Sequence, residues 1–234
     1  MSAARLNKID LHTHSVASPD GSLTEADYRR MLETERLDYI AVTDHNTIDF
    51  ARELKKNLTA ALTALGKRII VGEEIRTTKG EIIGLYLKET VPMLMTPEET
   101  IAAIRQQGGL VCIPHPFENV RRGMQAASLE PIAKDVDMIE VHNGRAVFQN
   151  KSKAAYVWAE RHRVAGIANS DCHATPGWGR TYTVVAGTPT RANLVQLLQT
   201  AGYRASFPGV KAVLYPKLNR LKKHYGKYHD EPVE

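Results

Sequence analysis

The chain has 234 residues, of which 43% are hydrophobic and 24% are charged, proportions that are ordinary for a globular domain. No apolar run approaches the roughly 18 residues that span a bilayer, and the start of the chain lacks an apolar signal segment. The sequence therefore excludes a membrane protein, and two cysteines without a disulfide framework favour a reducing, cytoplasmic location. The net charge is +5, partly because residues 215–229 contain five Lys and Arg residues and no acid. We expect a main domain of residues 1–214 and a basic C-terminal tail of residues 215–234. A solvent-exposed tail is favoured over one that binds nucleic acid.

Strand-like and helix-like segments alternate along the chain. Strands are predicted at residues 9–11, 39–43, 68–71, 110–113, 138–141, 164–168 and 181–185, with a hairpin at 77–87. Helices are predicted at residues 22–35, 48–65, 97–107, 151–163 and 191–200. Ser22 and Glu25 have the spacing of a capping box, and Thr96, Pro97 and Glu99 combine three helix-start signals. These signals fix the expected beginnings of the first and third helices.

The repeated strand–helix order predicts an α/β fold with a mainly parallel sheet and helices outside it. Seven strands in about 210 residues suit a small, distorted barrel, and an open doubly wound sheet is the alternative. A glycine-rich dinucleotide motif is missing after the first strand, which weighs against a dinucleotide-binding fold.

His, Asp and Glu residues occur at the ends of six consecutive predicted strands. The segments are Asp10-Leu-His12-Thr-His14, Thr43-Asp44-His45, Gly72-Glu73-Glu74, Pro114-His115-Pro116, Glu140-Val-His142-Asn143 and Asn169-Ser-Asp171-Cys-His173. Active sites of α/β barrels and open sheets form at the C-terminal ends of the strands. We therefore expect these side chains to converge at one edge of the sheet.

The spacing of these residues indicates metal binding. His12 with His14, and Asp171 with His173, are separated by two positions, which places both side chains of a pair on one face of extended backbone. Imidazole and carboxylate ligands without thiolates suit Zn, Mn or Fe. More than four such ligands imply two or three divalent ions, an arrangement that suits phosphoester hydrolysis. Asp44 lies on the opposite face of its strand. The sequence leaves open whether it has a purely structural role or takes part in the metal site, directly or by supporting a ligand.

Taken together and in this order, D-L-H-x-H, T-D-H, G-x-E, H-P and S-D-x-H resemble the motifs of the PHP family, named for polymerase and histidinol phosphatase domains. The resemblance extends from about Leu6 to Ala186. It implies a distorted (β/α)7 barrel that carries a metal cluster at the C-terminal ends of the strands. Such proteins hold up to three Mn, Zn or Fe ions and hydrolyse phosphoesters.

The resemblance also implies which residues hold each ion. His12 and His14 would share a first ion with Glu74 and Asp171. Glu74 would bridge to a second ion that is also held by His115. A third ion would be held by His45, His173 and Asp20, the last from the turn Ser18-Pro-Asp20-Gly21. One position departs from the family pattern, because Glu81 follows Gly80 where many relatives have a histidine. We expect Glu81 to be a ligand of the second ion, and Glu73 to face away.

The arginines near this edge are candidates for substrate binding. A guanidinium group suits bidentate phosphate contacts, so Arg145 and Arg180 are expected to hold the phosphoester, with Arg121 and Arg122 as alternatives. His142 is expected to support a ligand or to donate a proton to the leaving group.

The expected function is that of a metal-dependent hydrolase. It would use metal-activated water to cleave a phosphoester of a small phosphorylated metabolite, such as a nucleotide, a sugar phosphate or histidinol phosphate. The alternative is a nuclease or a DNA-associated module. That alternative is less favoured because aromatic residues make up only 6% of the chain and no stacking platform is visible. A non-catalytic metal-binding scaffold is disfavoured because every principal ligand is intact.

Overall fold

The computed structural model describes residues 5–60, 64–146 and 150–229. Its strands are β1 (Leu6–Asp10), β2 (Tyr39–Val42), β3 (Ile69–Thr77), β4 (Gly80–Leu85), β5 (Leu110–Ile113), β6 (Met138–Asn143), β7 (Ala165–Asn169), β8 (Tyr182–Ala186) and β9 (Gly202–Arg204). Its helices are α1 (Glu25–Glu33), α2 (Asp49–Ala60), α3 (Pro97–Gln106), α4 (Ala126–Leu129), α5 (Ser152–His162), α6 (Leu194–Leu198) and α7 (Val210–His229). Two short 3₁₀ segments cover Ala64–Arg68 and Glu130–Asp135.

The strands form one sheet with the order β7-β6-β5-β4-β3-β2-β1-β8-β9. The β1–β2–β3 and β5–β6–β7 groups are parallel, and β4 runs antiparallel to both β3 and β5. The sheet curves into a nearly closed barrel that brings β8 next to β7. The Thr183 hydroxyl of β8 accepts a bond from the Ala168 amide of β7 and donates one to the Ala168 carbonyl, both at 2.9 Å. The predicted α/β barrel class is confirmed.

One strand differs in direction from the expected parallel order. β8 lies antiparallel to β1, with Leu6 opposite Ala186 and Ile9 opposite Thr183. A parallel neighbour requires a crossover connection, usually a helix. The segment between β7 and β8, residues 170–181, contains no helix, so the chain enters the sheet from the opposite end.

The helix starts follow local hydrogen bonding. Thr24, rather than Ser22, caps α1, and its hydroxyl accepts a bond from the Asp27 amide while the Asp27 carboxylate accepts one from the Thr24 amide. The Ser22 hydroxyl instead donates to the His173 carbonyl at 2.9 Å. The prediction for α3 is confirmed, with Thr96 as the cap.

Apolar side chains fill both faces of the strands. Along β5, Leu110 and Cys112 belong to one buried cluster, and Val111 and Ile113 belong to the other. The first cluster also contains Leu194 of α6, and the second contains the apolar faces of helices such as α2. A shift of one residue would exchange these side chains between the two clusters and disturb the packing of both, so the register is strongly specified.

The basic C-terminal stretch is part of a longer helix. α7 is continuous from Val210 to His229 and crosses position 214, where the main domain was expected to end. Asn219, in the middle of this helix, is buried. Among the described residues, α7 and the other helices are too short or too polar to cross a membrane.

Candidate metal centre

The nine predicted ligand residues converge at the C-terminal ends of the strands, and eight of the nine are buried while His45 is partly exposed. Seven of them, all except His12 and His14, line an open cleft with a volume of about 530 Å³ together with cationic side chains. The nine are His12, His14, Asp20, His45, Glu74, Glu81, His115, Asp171 and His173.

The first predicted set lies deepest. The Nε2 atoms of His12 and His14 face each other at 3.0 Å. Glu74 Oε1 lies 3.4 Å from His12 Nε2, and Glu74 Oε2 lies 3.3 Å from His14 Nε2. Asp171 Oδ1 lies 3.6 and 3.5 Å from the same two nitrogens. Two imidazoles and two carboxylates therefore point at one small volume, as the sequence led us to expect.

The second set includes the unusual carboxylate. His115 Nε2 lies 2.9 Å from Glu74 Oε1 and 3.8 Å from Glu81 Oε2. Glu81 reaches this position because β4 folds back along β3, which pairs Ile83 with Glu74. Burial, together with the negative charge of Glu74, raises the pKa of Glu81 to about 7. The carboxyl group of Glu81 thus has the position expected of a ligand. The positive groups around it do not offset its burial and the charge of Glu74.

The third set is arranged around Asp20. Its Oδ1 atom lies 3.5 Å from His45 Nε2 and 3.4 Å from His173 Nε2. His45 also lies close to the second set, since its Nδ1 atom is 3.0 Å from Glu74 Oε2. The sequence assigned His45 to the third ion alone, whereas in the structure its two nitrogens face both sets.

Several features of these residues fit divalent metal ions. Asp20 Oδ1 and His115 Nδ1 are buried without a hydrogen-bond partner in the described part of the chain. Burial, followed by the nearby His173 and His45, lowers the pKa of His14 well below its ordinary value, which leaves the neutral imidazole that metals bind. Buried carboxylates that face each other need a cation between them. A donor set of imidazole nitrogen and carboxylate oxygen suits Zn, Mn or Fe.

Glu140 orients two of the imidazole residues and was not assigned a role from the sequence. Its Oε1 accepts bonds from His12 Nδ1 at 2.9 Å and from Asn169 Nδ2 at 2.8 Å. Its Oε2 accepts bonds from the His115 amide at 2.7 Å and from Asn143 Nδ2 at 2.8 Å. With a proton fixed on Nδ1, His12 presents Nε2 as its ligand atom.

Asp44 performs the same task for His14 through a serine. Asp44 Oδ1 accepts a bond from the Ser18 hydroxyl at 2.6 Å, and Ser18 Oγ lies 3.1 Å from His14 Nδ1. Because the Ser18 hydrogen is committed to Asp44, its oxygen accepts the bond and the proton of His14 stays on Nδ1. Asp44 is therefore a supporting residue in this arrangement. Glu73 faces away from the cluster, as expected, and its carboxylate accepts a bond from the Val91 amide at 2.8 Å.

Two of the predicted arginines reach the cluster. Arg145 Nη1 lies 3.2 Å from Asp171 Oδ1 and 3.3 Å from His173 Nδ1. Arg121 donates to Asp171 Oδ2 and to Asn143 Oδ1, and its remaining N–H groups are held by Glu118. Arg122 lines the cleft but is exposed.

The structure does not bring the other two predicted catalytic residues to the cleft, which corrects the expectation for both. The exposed Arg180 lies outside the cleft and donates to the Phe207 carbonyl at 3.3 Å. His142 packs on the ring of Tyr203 with centroids 5.2 Å apart. The pairing of β6 with β7 is irregular between Glu140 and His142, so these two side chains do not share a direction as residues two apart on a regular strand would.

The fold and the site define a class of protein, an α/β barrel with a cluster of His, Asp and Glu side chains that could hold metal ions at the C-terminal edge of its sheet. Residues 150–201 match the family PHP_C, described as PHP-associated. The uncharacterized protein MJ1587 of Methanocaldococcus jannaschii is 36% identical over 146 residues, which cover 58% of this chain and 81% of that protein. The chain belongs to the PHP-domain family.

Solved structures share the fold at low identity. A two-domain protein from Bacteroides vulgatus, described as containing a predicted PHP-like metal-dependent phosphoesterase, has a TM-score of 0.68 at 18% identity. That match covers 94% of this chain and 71% of the other. PsfC from Pseudomonas syringae has a TM-score of 0.62 at 17% identity and covers 96% and 99% of the two chains. At these identities the similarity supports the barrel fold.

Proposed function

We propose that this protein is a metal-dependent phosphoesterase that acts on a small phosphorylated metabolite. The observation that carries the proposal is the convergence of nine ligand-type side chains beside Arg145, a partly buried arginine whose Nε–H has no hydrogen-bond partner among the described residues. The description of the Bacteroides vulgatus neighbour as a predicted phosphoesterase supports it.

The candidate residues would hold two or three divalent ions of Mn, Fe or Zn. When bound, such ions activate a water molecule and neutralise the charge that develops on the phosphoryl oxygens. Glu140 and Asp44 keep the imidazoles of His12 and His14 in the tautomer that leaves Nε2 free. Arg121 holds Asp171, since its guanidinium bonds that carboxylate and is itself held by Glu118. These residues preorganise the site before substrate arrives.

Arg145 is the better candidate of the two arginines for contact with the phosphate. Its Nε atom is buried and has no hydrogen-bond partner among the described residues, although the side chain lines the cleft. A phosphoryl oxygen would accept from this N–H group and offset its burial. Arg76, Arg122 and Lys217 also line the cleft, and this excess of positive charge favours an anionic substrate.

The first experiment measures metal content and hydrolysis in the same preparation. Elemental analysis of gently purified protein should give at least two transition-metal equivalents per chain. The metal-loaded protein is then assayed against p-nitrophenyl phosphate, nucleotides, sugar phosphates and histidinol phosphate. Labelled single-stranded DNA tests the nuclease alternative in the same series. If one metal equivalent or fewer binds, or if none of these compounds is cleaved, the proposal is wrong.

A pair of arginine variants tests the site itself. Loss of a charge-assisted bond to the phosphate costs about 1.5–3 kcal/mol, which corresponds to a decrease in kcat/KM of roughly 10- to 150-fold for Arg145→Ala. Arg180→Ala is the matched control, because Arg180 is exposed and lies outside the cleft. Equal activities of the two variants would remove Arg145 from the proposed mechanism.

A further inference from the structure

The C-terminal helix α7 packs against the part of the cluster that contains Asp20. Asn219, Arg220 and Lys223 contact it from one side of the helix, since residues separated by three or four positions are neighbours on a helix surface. Lys223 Nζ donates to the carbonyls of Val16 at 2.7 Å and Ser18 at 2.5 Å. The helix therefore holds the loop in which Asp20 lies.

Asn219 joins two of the candidate ligand residues. Its Nδ2 atom donates to the Asp20 carbonyl at 2.8 Å and to the His173 carbonyl at 3.1 Å. These two residues come from opposite ends of the barrel sequence, after β1 and after β7. Only 5% of Asn219 is exposed, so both bonds are shielded from water. One buried amide thus fixes the distance between the backbones of Asp20 and His173.

Arg220 acts on the Asp20 side chain. Its Nη2 atom donates to Asp20 Oδ2 at 2.6 Å. Oδ1, the other oxygen of that carboxylate, faces His45 and His173. With Oδ2 held by the guanidinium group, the carboxylate cannot rotate away from the two imidazoles.

We propose that Asn219 and Arg220 are positioning residues that build the third metal site by holding Asp20 and His173 in place. The inference rests on the proposed metal cluster. It makes α7 a functional part of the barrel, although this helix lies outside the residues 150–201 that match the family. Residues that orient metal ligands typically change metal affinity by 10- to 100-fold when they are replaced.

The experiment compares three variants of the full chain with a control on the same helix. The variants are Arg220→Ala, Arg220→Lys and Asn219→Ala, and the control is Lys222→Ala, whose side chain is exposed. Protein stripped of metal is titrated with Mn²⁺ in a chelator-buffered series, and bound ions are counted by elemental analysis. We expect Arg220→Ala and Asn219→Ala to bind one of the ions at least tenfold less tightly, with the remaining ions unaffected. Arg220→Lys should recover part of the loss, and Lys222→Ala should behave like the wild type.

The thermal unfolding of the metal-free proteins separates positioning from folding. The Arg220 side chain is 65% exposed and Asp20 keeps His45 and His173 beside it, so Arg220→Ala should unfold close to the wild-type temperature while its metal affinity falls. Unchanged metal affinity in Arg220→Ala and Asn219→Ala would overturn the inference, and so would a loss shared equally by all the ions. A wild-type protein that binds its ions but cleaves no phosphoester would refute the proposed function alone. A wild-type protein that binds no metal would refute both.

Discussion

Replacement of Glu140 by glutamine tests whether the metal-binding residues are held in place by the fold itself. The Glu140 carboxylate is buried and accepts four hydrogen bonds, two on each oxygen. Glutamine has the same shape but offers only one acceptor oxygen. Whichever way its amide turns, its NH₂ group faces two buried donors. These are either His12 and Asn169 or His115 and Asn143.

The size of the effect follows from that arrangement. A buried donor without a partner costs about 1–3 kcal/mol, so the two together should lower the free energy of unfolding by about 2–6 kcal/mol. The same change removes the group that fixes the His12 tautomer or the group that holds the His115 backbone. We therefore also expect metal affinity to fall by roughly 10- to 100-fold.

Urea unfolding of the metal-free protein measures the first effect, and titration with a competing chelator measures the second. Glu89→Gln is the matched control, because that side chain is exposed and the chemical change is identical. Surface substitutions of this kind stay within about 0.5 kcal/mol of the wild type. If Glu140→Gln falls within the same range as the control, the four bonds do not stabilise the site and our reasoning is wrong.

Two further predictions concern segments that carry candidate ligands, the strand β4 and the turn that contains Asp20. Glu81→Ala should weaken the ion nearest His115 selectively, and Glu81→His should raise the Zn²⁺ content of that site relative to Mn²⁺ or Fe²⁺, because imidazole is the softer ligand. Anomalous scattering at each metal edge reports the sites separately, and full occupancy in Glu81→Ala would exclude Glu81 as a ligand. Gly21→Ala should destabilise the metal-free protein by about 1–3 kcal/mol in urea unfolding, since an added Cβ would lie 2.0 Å from the Ser15 carbonyl. Gly202→Ala, with nothing within 4 Å, should leave stability unchanged.

The positions of strands could be predicted from the sequence where hydrophobic runs are separated by helices. β5, predicted at residues 110–113, has the same bounds in the structure. The direction of β8 could not be predicted in this way, because its partner β1 lies almost the whole chain away. β9 consists of three exposed residues that carry no alternating pattern, so it gave no signal.

The candidate ligands were predictable for a different reason. His and Asp residues at strand ends are unusual residues at positions that the fold brings together, and pairs such as His12 and His14 lie within one segment. Supporting residues have no such signal. Asn219 and Arg220 are ordinary polar residues of a basic helix, and they lie 199 and 200 positions from Asp20, which they contact. Glu140 was visible as the acid at the end of β6, but only its four bonds distinguish support from metal binding.

The electrostatics of the cluster connect these observations. Desolvation disfavours the charged form of a buried carboxyl group, so each buried acid needs a positive neighbour to remain ionised. Asp171 has Arg145 and Arg121, and Asp20 has His173 and His45. Within the described part of the chain Glu81 forms no ion pair with an arginine or lysine, and its pKa rises to about 7. A carboxylate at this position is compatible with stable folding if a cation lies between it and Glu74. The divalent ion that the proposed reaction requires would therefore also offset the negative charge of these two buried carboxylates.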